Sequence, residues 1–297
     1  MSAVSLRITS TSATASSLAN LQGQFGRLVK LQEQLTSGKV VSRPSDSPTA
    51  TIISLDLRSE IRATEQYSAN ADNGLAWLGL ADSALKSVTD IVQRVRALTV
   101  QGASTGNMGA EGRAAIATEL AGLREALIGE SNTTYLDRPI FGGTTSGGRA
   151  FAADGSYVGD SGQVARRIGT TATVRADVSG TLTFGTGATS LFAVIDQVRD
   201  HLLNNPGAVA GDLDAIDAAF SGVKQSASDV GARYTRAEGA RQSANDRVLS
   251  LRSTLSGVED IDLPKTILEQ SMQQTAYQAA LSITAKVLQP SLLDFLR

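Results

Sequence analysis

The sequence predicts a mainly α protein: an elongated antiparallel bundle of long helices with a small central β-rich insert and its terminal helices paired at one end. Three observations predict it. From Leu213 to Val258, apolar or small residues recur in alternating steps of three and four through Ile216, Phe220, Val223, Val230, Tyr234, Val248, Leu251 and Leu255, and only Arg241 breaks the rule. A spacing of 3.5 residues sustained this long marks a helix that packs against other helices, here roughly 65 to 70 Å long. A second stretch from Ser47 to about Ala103 keeps the same period through Leu57, Ile61, Leu75, Leu78, Leu85 and Val92. These two sets form the expected core of the rod. Thirdly, the texture between Tyr135 and Ser190 changes to Gly, Thr and short alternating runs.

The first helix starts near Val4 with a polar seam that becomes apolar at Leu18, Leu21, Phe25, Leu28 and Leu35. Its Ser/Thr-rich beginning is a poor helix former, so the segment needs a partner. Ser37-Gly38 closes it, because glycine accepts the left-handed residue that ends a helix. Pro44 forbids continuation, and Ser47 as N-cap with Pro48 at the first helical position opens the long helix. Asn73-Gly74 interrupts its composition but not its apolar phase, so one helix is expected throughout. After a turn at Gly102 to Gly109, a shorter helix carries Ile116, Leu120, Leu123 and Leu127 and ends near Asn132.

In the insert, Ala172–Val178 and Thr181–Phe184 read as hairpin strands, with turns at Asp154-Gly155, Gly159-Asp160 and Ser179-Gly180. Helical signal returns at Ser190 with Leu191, Ile195, Val198 and Leu202, and stops at Asn204-Asn205-Pro206-Gly207. The last helix begins near Pro264 and bears two stripes. One holds Leu268, Met272, Ala276, Ala279, Ile283 and Val287, the other Leu281, Ala285, Leu288 and Leu292. Two stripes imply contacts on two sides. The expected domains are therefore a terminal coiled-coil region (1–42 with 264–297), a helical rod core (43–134 with 190–263) and the insert (135–189).

The formal charge is −2 and basic residues are scattered, which gives no basis for a nucleic-acid partner. Cysteine is absent, which removes disulfides and thiolate metal or redox chemistry. The longest apolar run, Leu75 to Ala81, is far short of the roughly 20 residues a membrane helix needs, so no membrane partner is expected. The first seventeen residues lack the apolar block of a cleavable signal peptide. A single histidine, His201, excludes sites that need two, and its place near a helix end suggests a surface or dipole role. The run Phe141 to Arg149 is rich in glycine, but Gly148 and Arg149 stand where a phosphate loop needs Lys and Ser/Thr, so it reads as a turn. Glu259, Asp260 and Asp262 form the densest acidic group, where negative charge favours the following helix N-terminus. No catalytic, cofactor or metal constellation is found, and an enzyme is not expected.

The motifs Leu31-Gln32-Glu33-Gln34-Leu35-Thr36-Ser37-Gly38-Lys39 and Arg43-Pro44-Ser45-Asp46-Ser47-Pro48 resemble the N-terminal region of the flagellin superfamily, and within it the hook-associated protein 3 branch. Asn73-Gly74-Leu75-Ala76-Trp77-Leu78, Gly142-Gly143-Thr144-Thr145, Val230-Gly231-Ala232-Arg233 and Ser291-Leu292-Leu293-Asp294-Phe295-Leu296 add to the resemblance. It covers about 130 residues at the amino end and about 90 at the carboxyl end, and thins across the insert. It implies a secreted structural protein of the bacterial flagellum at the hook–filament junction, contacting the first hook-associated protein, flagellin and copies of itself in a ring. It also implies unfolded export through the flagellar type III channel with an export chaperone. The terminal helices would then form the assembly interface, with Leu18, Leu21, Phe25, Leu28 and Leu35 set against Met272, Ile283, Val287 and Leu288. Leu268 and Leu292 join that set from the stripes. A short flagellin and an unrelated coiled-coil scaffold remain alternatives.

Overall fold

The computed structural model describes residues 10–104 and 109–287, and the side chains of residues 15–286 outside that gap. Leu288 and Leu292, the side chain of Val287 and the expected helix start at Val4 lie outside the described residues. The elements in order are α1 (Ser10–Ser37), α2 (Pro48–Ala103), α3 (Ala110–Ser131), strands β1 (Thr134–Tyr135), β2 (Arg138–Pro139), β3 (Ala165–Arg167) and β4 (Thr173–Arg175), then α4 (Gly180–Phe184), α5 (Leu191–Asn204), α6 (Asp212–Glu259) and α7 (Leu263–Val287). Local signals set most ends. Gly38 closes α1 at φ 72°, its N–H donating to Gln34 O at 2.8 Å. The Ser47 hydroxyl accepts from Ala50 N at 3.3 Å ahead of Pro48, and the Ser190 hydroxyl accepts from Ala193 N. Two compact units result: a central one, Ala63–Val248, and a terminal one, Met1–Arg62 with Leu249–Arg297.

In the central unit α2 and α6 run antiparallel in a single register. Ser68 donates to Asn245, Arg241 faces Asp72, Gly79 lies beside Tyr234, and Arg96 pairs with Asp217. Each step up one helix is matched by an equal step down the other. The core side of α6 is narrower than its sequence pattern. Ile216, Val223, Val230, Ala237 and Ala244, seven residues apart, are buried, while the alternating set Leu213, Phe220 and Ala227 is only half covered. Tyr234, expected in the rod core, is 42% exposed at the edge of this seam and is corrected to a flanking position. Arg241, the one break in the pattern, sits in the half-covered set and is paired there with Glu238 and Asp72. Leu75, Leu78, Leu85, Val92, Val230 and Val248 are buried.

The insert does not make a separate β layer. Its only sheets among the described residues are two antiparallel pairs, β1 with β2 and β3 with β4. The segment Thr181–Phe184, expected as a strand, is the helix α4. Ser179 caps it by accepting from Leu182 N, so the Ser179-Gly180 pair is a helix start instead of a hairpin turn. Gly222 on α6 lets the α4 backbone come close, since a Cβ there would collide with Leu182 O. Phe184 then joins Phe141, Phe151 and Phe192 in an aromatic cluster with ring centroids 5.1 to 5.7 Å apart. That cluster belongs to the same core as α2, α3 and α6. Asn132 holds the insert to the end of α3, its Oδ1 accepting from Ala150 N and Phe151 N at 2.8 and 2.9 Å.

In the terminal unit α1 packs along α7. Phe25 meets Tyr277 with centroids 5.9 Å apart, and Gln273 Nε2 donates to Gln24 O. Ile61 and Leu251 are the buried apolar residues of this unit among those described, and Leu57 and Leu255 are half covered.

Candidate assembly surface

The α1·α7 pair is built with its faces turned unexpectedly. On α7 the partly covered residues are Gln270, Gln273, Tyr277, Ala280 and Thr284, following buried Thr266, a heptad line of mostly polar side chains. The apolar stripes lie on either side of that line, roughly 80° and 120° round the helix at 100° per residue. Leu268, Met272 and Ile283 form one, with Met272 64% exposed. Leu263, Ile267 and Leu281 form the other, and they too are exposed. On α1, Leu21, Leu28, Leu31 and Leu35 are half covered, Leu18 and Val29 are exposed, and Phe25 is exposed on one side of the ring that meets Tyr277. The expected packing of Leu18 and Phe25 on Met272 and Ile283 is therefore corrected. Within one chain α1 takes the polar seam of α7, and the apolar stripes are left for something else. Each such side chain, buried in full, would contribute about 1.5 to 3 kcal/mol.

A groove of about 520 Å³ runs between the two helices, with Leu31, Met272 and Ala276 giving it an apolar lining and Arg27, Lys30 and Glu269 a charged rim. Ile52, Leu55 and Leu249, which no pattern singled out, add exposed apolar surface to the same unit. The signal for them was their position off the heptad line in otherwise regular helices.

At the base of the pair sits an ionic clamp. Glu259, the last residue of α6, is buried. Arg58 donates to it twice, Nε to Oε1 at 3.0 Å and Nη2 to Oε2 at 2.7 Å, and Lys39 Nζ lies 2.5 Å from Oε2. A carboxylate at a helix C-terminus opposes the helix dipole, so these two cations answer an unfavourable placement. They hold the Glu259 carboxyl down at about 2, the Arg58 hydrogen bonds contributing most. Backbone bonds close the clamp: Val40 N donates to Glu259 O at 2.7 Å and Ile261 N to Gly38 O at 3.1 Å. Of the acidic group, Asp262 alone caps the next helix, its Oδ1 accepting from Lys265 N. Glu259 faces the other way.

The remaining polar candidates are structural. His201, in the last turn of α5, has Nδ1 2.8 Å from Oδ2 of buried Asp212, which also accepts from Gln197 Nε2. The Gly-rich turn is tied to a carboxylate of the chain itself, since Asp160 accepts from Thr144 N at 2.7 Å and from the Thr144 hydroxyl at 2.8 Å. Among the described residues no group of three or more His, Asp or Glu is placed to hold a metal ion, and no helix is long and apolar enough to cross a membrane.

Comparison with known proteins agrees with this architecture. Residues 8–146 match the bacterial flagellin N-terminal helical region and residues 213–296 the bacterial flagellin C-terminal helical region. The chain is 27% identical over 289 residues to flagellar hook-associated protein 3 of Escherichia coli, covering 89% of this chain and 90% of that one. It is also 27% identical over 272 residues to the flagellar filament 33 kDa core protein of Treponema phagedenis, covering 90% and 92%. The crystal structure of the flagellar junction protein of Legionella pneumophila superposes with a TM-score of 0.58 at 15% identity, over 70% of this chain and all of that one. With both helical regions matched at the two ends and the same fold between them, the chain belongs to the bacterial flagellin family.

Proposed function

We propose that the chain is a non-enzymatic structural subunit of the hook–filament junction, linking the first hook-associated protein to flagellin through its terminal helices. Copies of it form a ring there, and an export chaperone shields the termini before assembly. The division of labour follows the three segments: 1–42 with 264–297 for assembly, 43–134 with 190–263 for the rod, and 135–189 as the insert. The observation that carries this reading is the pair of terminal helices in which α7 turns its mostly polar line to α1 and Leu18, Phe25, Leu268, Met272 and Ile283 stay exposed. Exposed apolar surface of this extent marks a site of protein association. The likeness to hook-associated protein 3 supports the junction among flagellar positions.

Equal identity to the Treponema filament core protein favours a second reading, a filament subunit. Adding the purified chain to isolated hooks under electron microscopy separates the two. A short cap that then accepts flagellin supports the junction. Long filaments of the chain alone support the second reading, and bare hooks exclude both.

A further inference from the structure

α1 and α7 are fastened at their base to one short bridge. Val40 N donates to Glu259 O and Ile261 N to Gly38 O, so residues 38–40 and 259–261 lie side by side as an antiparallel pair. Gly38 N bonds back to Gln34 O and closes α1. One residue past the bridge Asp262 starts α7, its Oδ1 accepting from Lys265 N and its carbonyl from Thr266 N and the Thr266 hydroxyl. Thr266 is buried there. Each residue of a helix stands about 100° from the last, so fixing Thr266 fixes the line of Gln270, Gln273, Tyr277, Ala280 and Thr284 that faces α1. Lys39 and Arg58 brace the bridge through Glu259, and Lys39 also reaches Asp260 at 3.4 Å.

The seam chosen in this way is not the one the side chains favour. It sets the half-covered Leu21, Leu28 and Leu35 of α1 against a line that holds two glutamines and a threonine. Gln24, whose carbonyl takes the Gln273 amide, has its Oε1 buried with no hydrogen-bond partner among the described residues, a desolvation cost that an apolar seam would not carry. One residue back along α7, about 100° round the helix, run Met272, Ala276, Ala279 and Ile283, all exposed. One residue forward the line is polar again, with Ser271, Gln274 and Gln278. Met272 and Ala276 already line the groove beside Leu31. A turn of α7 by that one residue would lay its apolar line on the leucines of α1, and the base of the pair is what opposes it.

We infer that the clamp of Lys39, Glu259 and Arg58 is a phase lock. It holds α7 one residue away from its apolar pairing with α1, and so keeps Met272, Ala276, Ala279 and Ile283 open to other subunits. Without it α7 turns, the chain covers its own assembly surface with α1, and the subunit becomes inert. The loss of assembly rests on the reading that this surface joins subunits. The turn of α7 does not.

The test uses the full chain, whose lack of cysteine lets a single introduced thiol report each face. Met272→Cys places one on the exposed line, and Gln273→Cys places one on the seam. With Glu259→Gln added, maleimide labelling is expected to slow about fivefold at position 272 and to speed up about fivefold at position 273. Hook capping by Glu259→Gln without a reporter thiol is expected to fall about tenfold. Lys39→Met leaves Glu259 with Arg58, so it reads the lock even if Glu259→Gln fails to fold. It is expected to move both rates in the same directions by a smaller factor. Adding Gln270→Leu with Gln273→Leu to the Glu259→Gln chain makes the held seam apolar, and is expected to return capping and the rate at position 272 to within about twofold of the wild type. A clamp that only stabilised the fold would not be bypassed in this way. Equal acceleration at both positions means that α7 has come loose, and unchanged rates mean that the clamp does not set its phase. Either result overturns the inference, as does a leucine pair that restores nothing. Labelling needs no hook, so bare hooks with the wild type count against the junction reading alone.

Discussion

Seven-residue spacing runs through both the terminal and the central unit, with opposite results. In the central unit the heptad side chains of α2 and α6 face each other in one register and share a core with α3, α5 and the aromatic insert. In the terminal unit the same spacing sets the leucines of α1 against the mostly polar line of α7, and the apolar stripes of α7 stay exposed. A repeat specifies that a helix will pack, but the angular position of its stripes relative to the first partner decides whether packing is complete within one chain. α7 carries two stripes and meets one helix, so it is left incomplete by construction.

The contrast can be broken at several points. Phe151→Ala removes the ring that touches Phe184, Phe192 and Tyr157, and should cost about 3 to 5 kcal/mol in urea unfolding. Leu251→Asp should cost about 3 kcal/mol or more, because it buries an unpaired charge at one of the two covered apolar positions of the terminal unit. An unchanged midpoint in either variant would contradict the burial described. Removing residues 1–42 and 264–297 should leave a cooperative thermal transition, since the central core lies between them, and abolish binding to hooks.

The clamp gives a smaller, pH-dependent effect. The Glu259 carboxyl ionises at about 2 in the fold against an ordinary value of 4.5. Its contribution is therefore fully present above about pH 4.5 and is lost as pH falls through 2. Arg58 and Lys39 are themselves half exposed, so a full conversion of that shift is discounted to about 2 kcal/mol. Glu259→Gln should lower stability by that amount at pH 7, and the gap between variant and wild type should close toward pH 2. A gap that stays constant over this range would assign the loss to packing. Smallest of all, Met272→Ser should move monomer stability by less than about 0.5 kcal/mol, as expected at an exposed position, while weakening assembly.

The helical frame was legible because its signals are local. Ser47-Pro48, Ser37-Gly38 and Ser190 each fix an end through a bond to a residue within four positions. Thr181–Phe184 misled because alternating Thr, Leu and Phe fits a strand, and the outcome was decided by the Ser179 cap and by the bond between the Thr183 and Ser226 hydroxyls. Tyr234 misled for a different reason: period identifies a face, and only the neighbour shows how wide that face is. Of the assembly surface, the stripes were visible, but their direction was not. The clamp was invisible, because Glu259 is 220 residues from Lys39 and 201 from Arg58.

That separation in sequence bears on the order in which the molecule is finished. Loop closure over so many residues is entropically costly, and contacts of this kind come late. A chain emerging amino end first has α1 complete long before its acceptor carboxylate exists. Lys39 and Arg58 then wait as unpaired cations while the whole central unit is made. Closing the clamp requires the far end of α6 to have arrived, so the base of the assembly surface is set only once both ends of the chain are present.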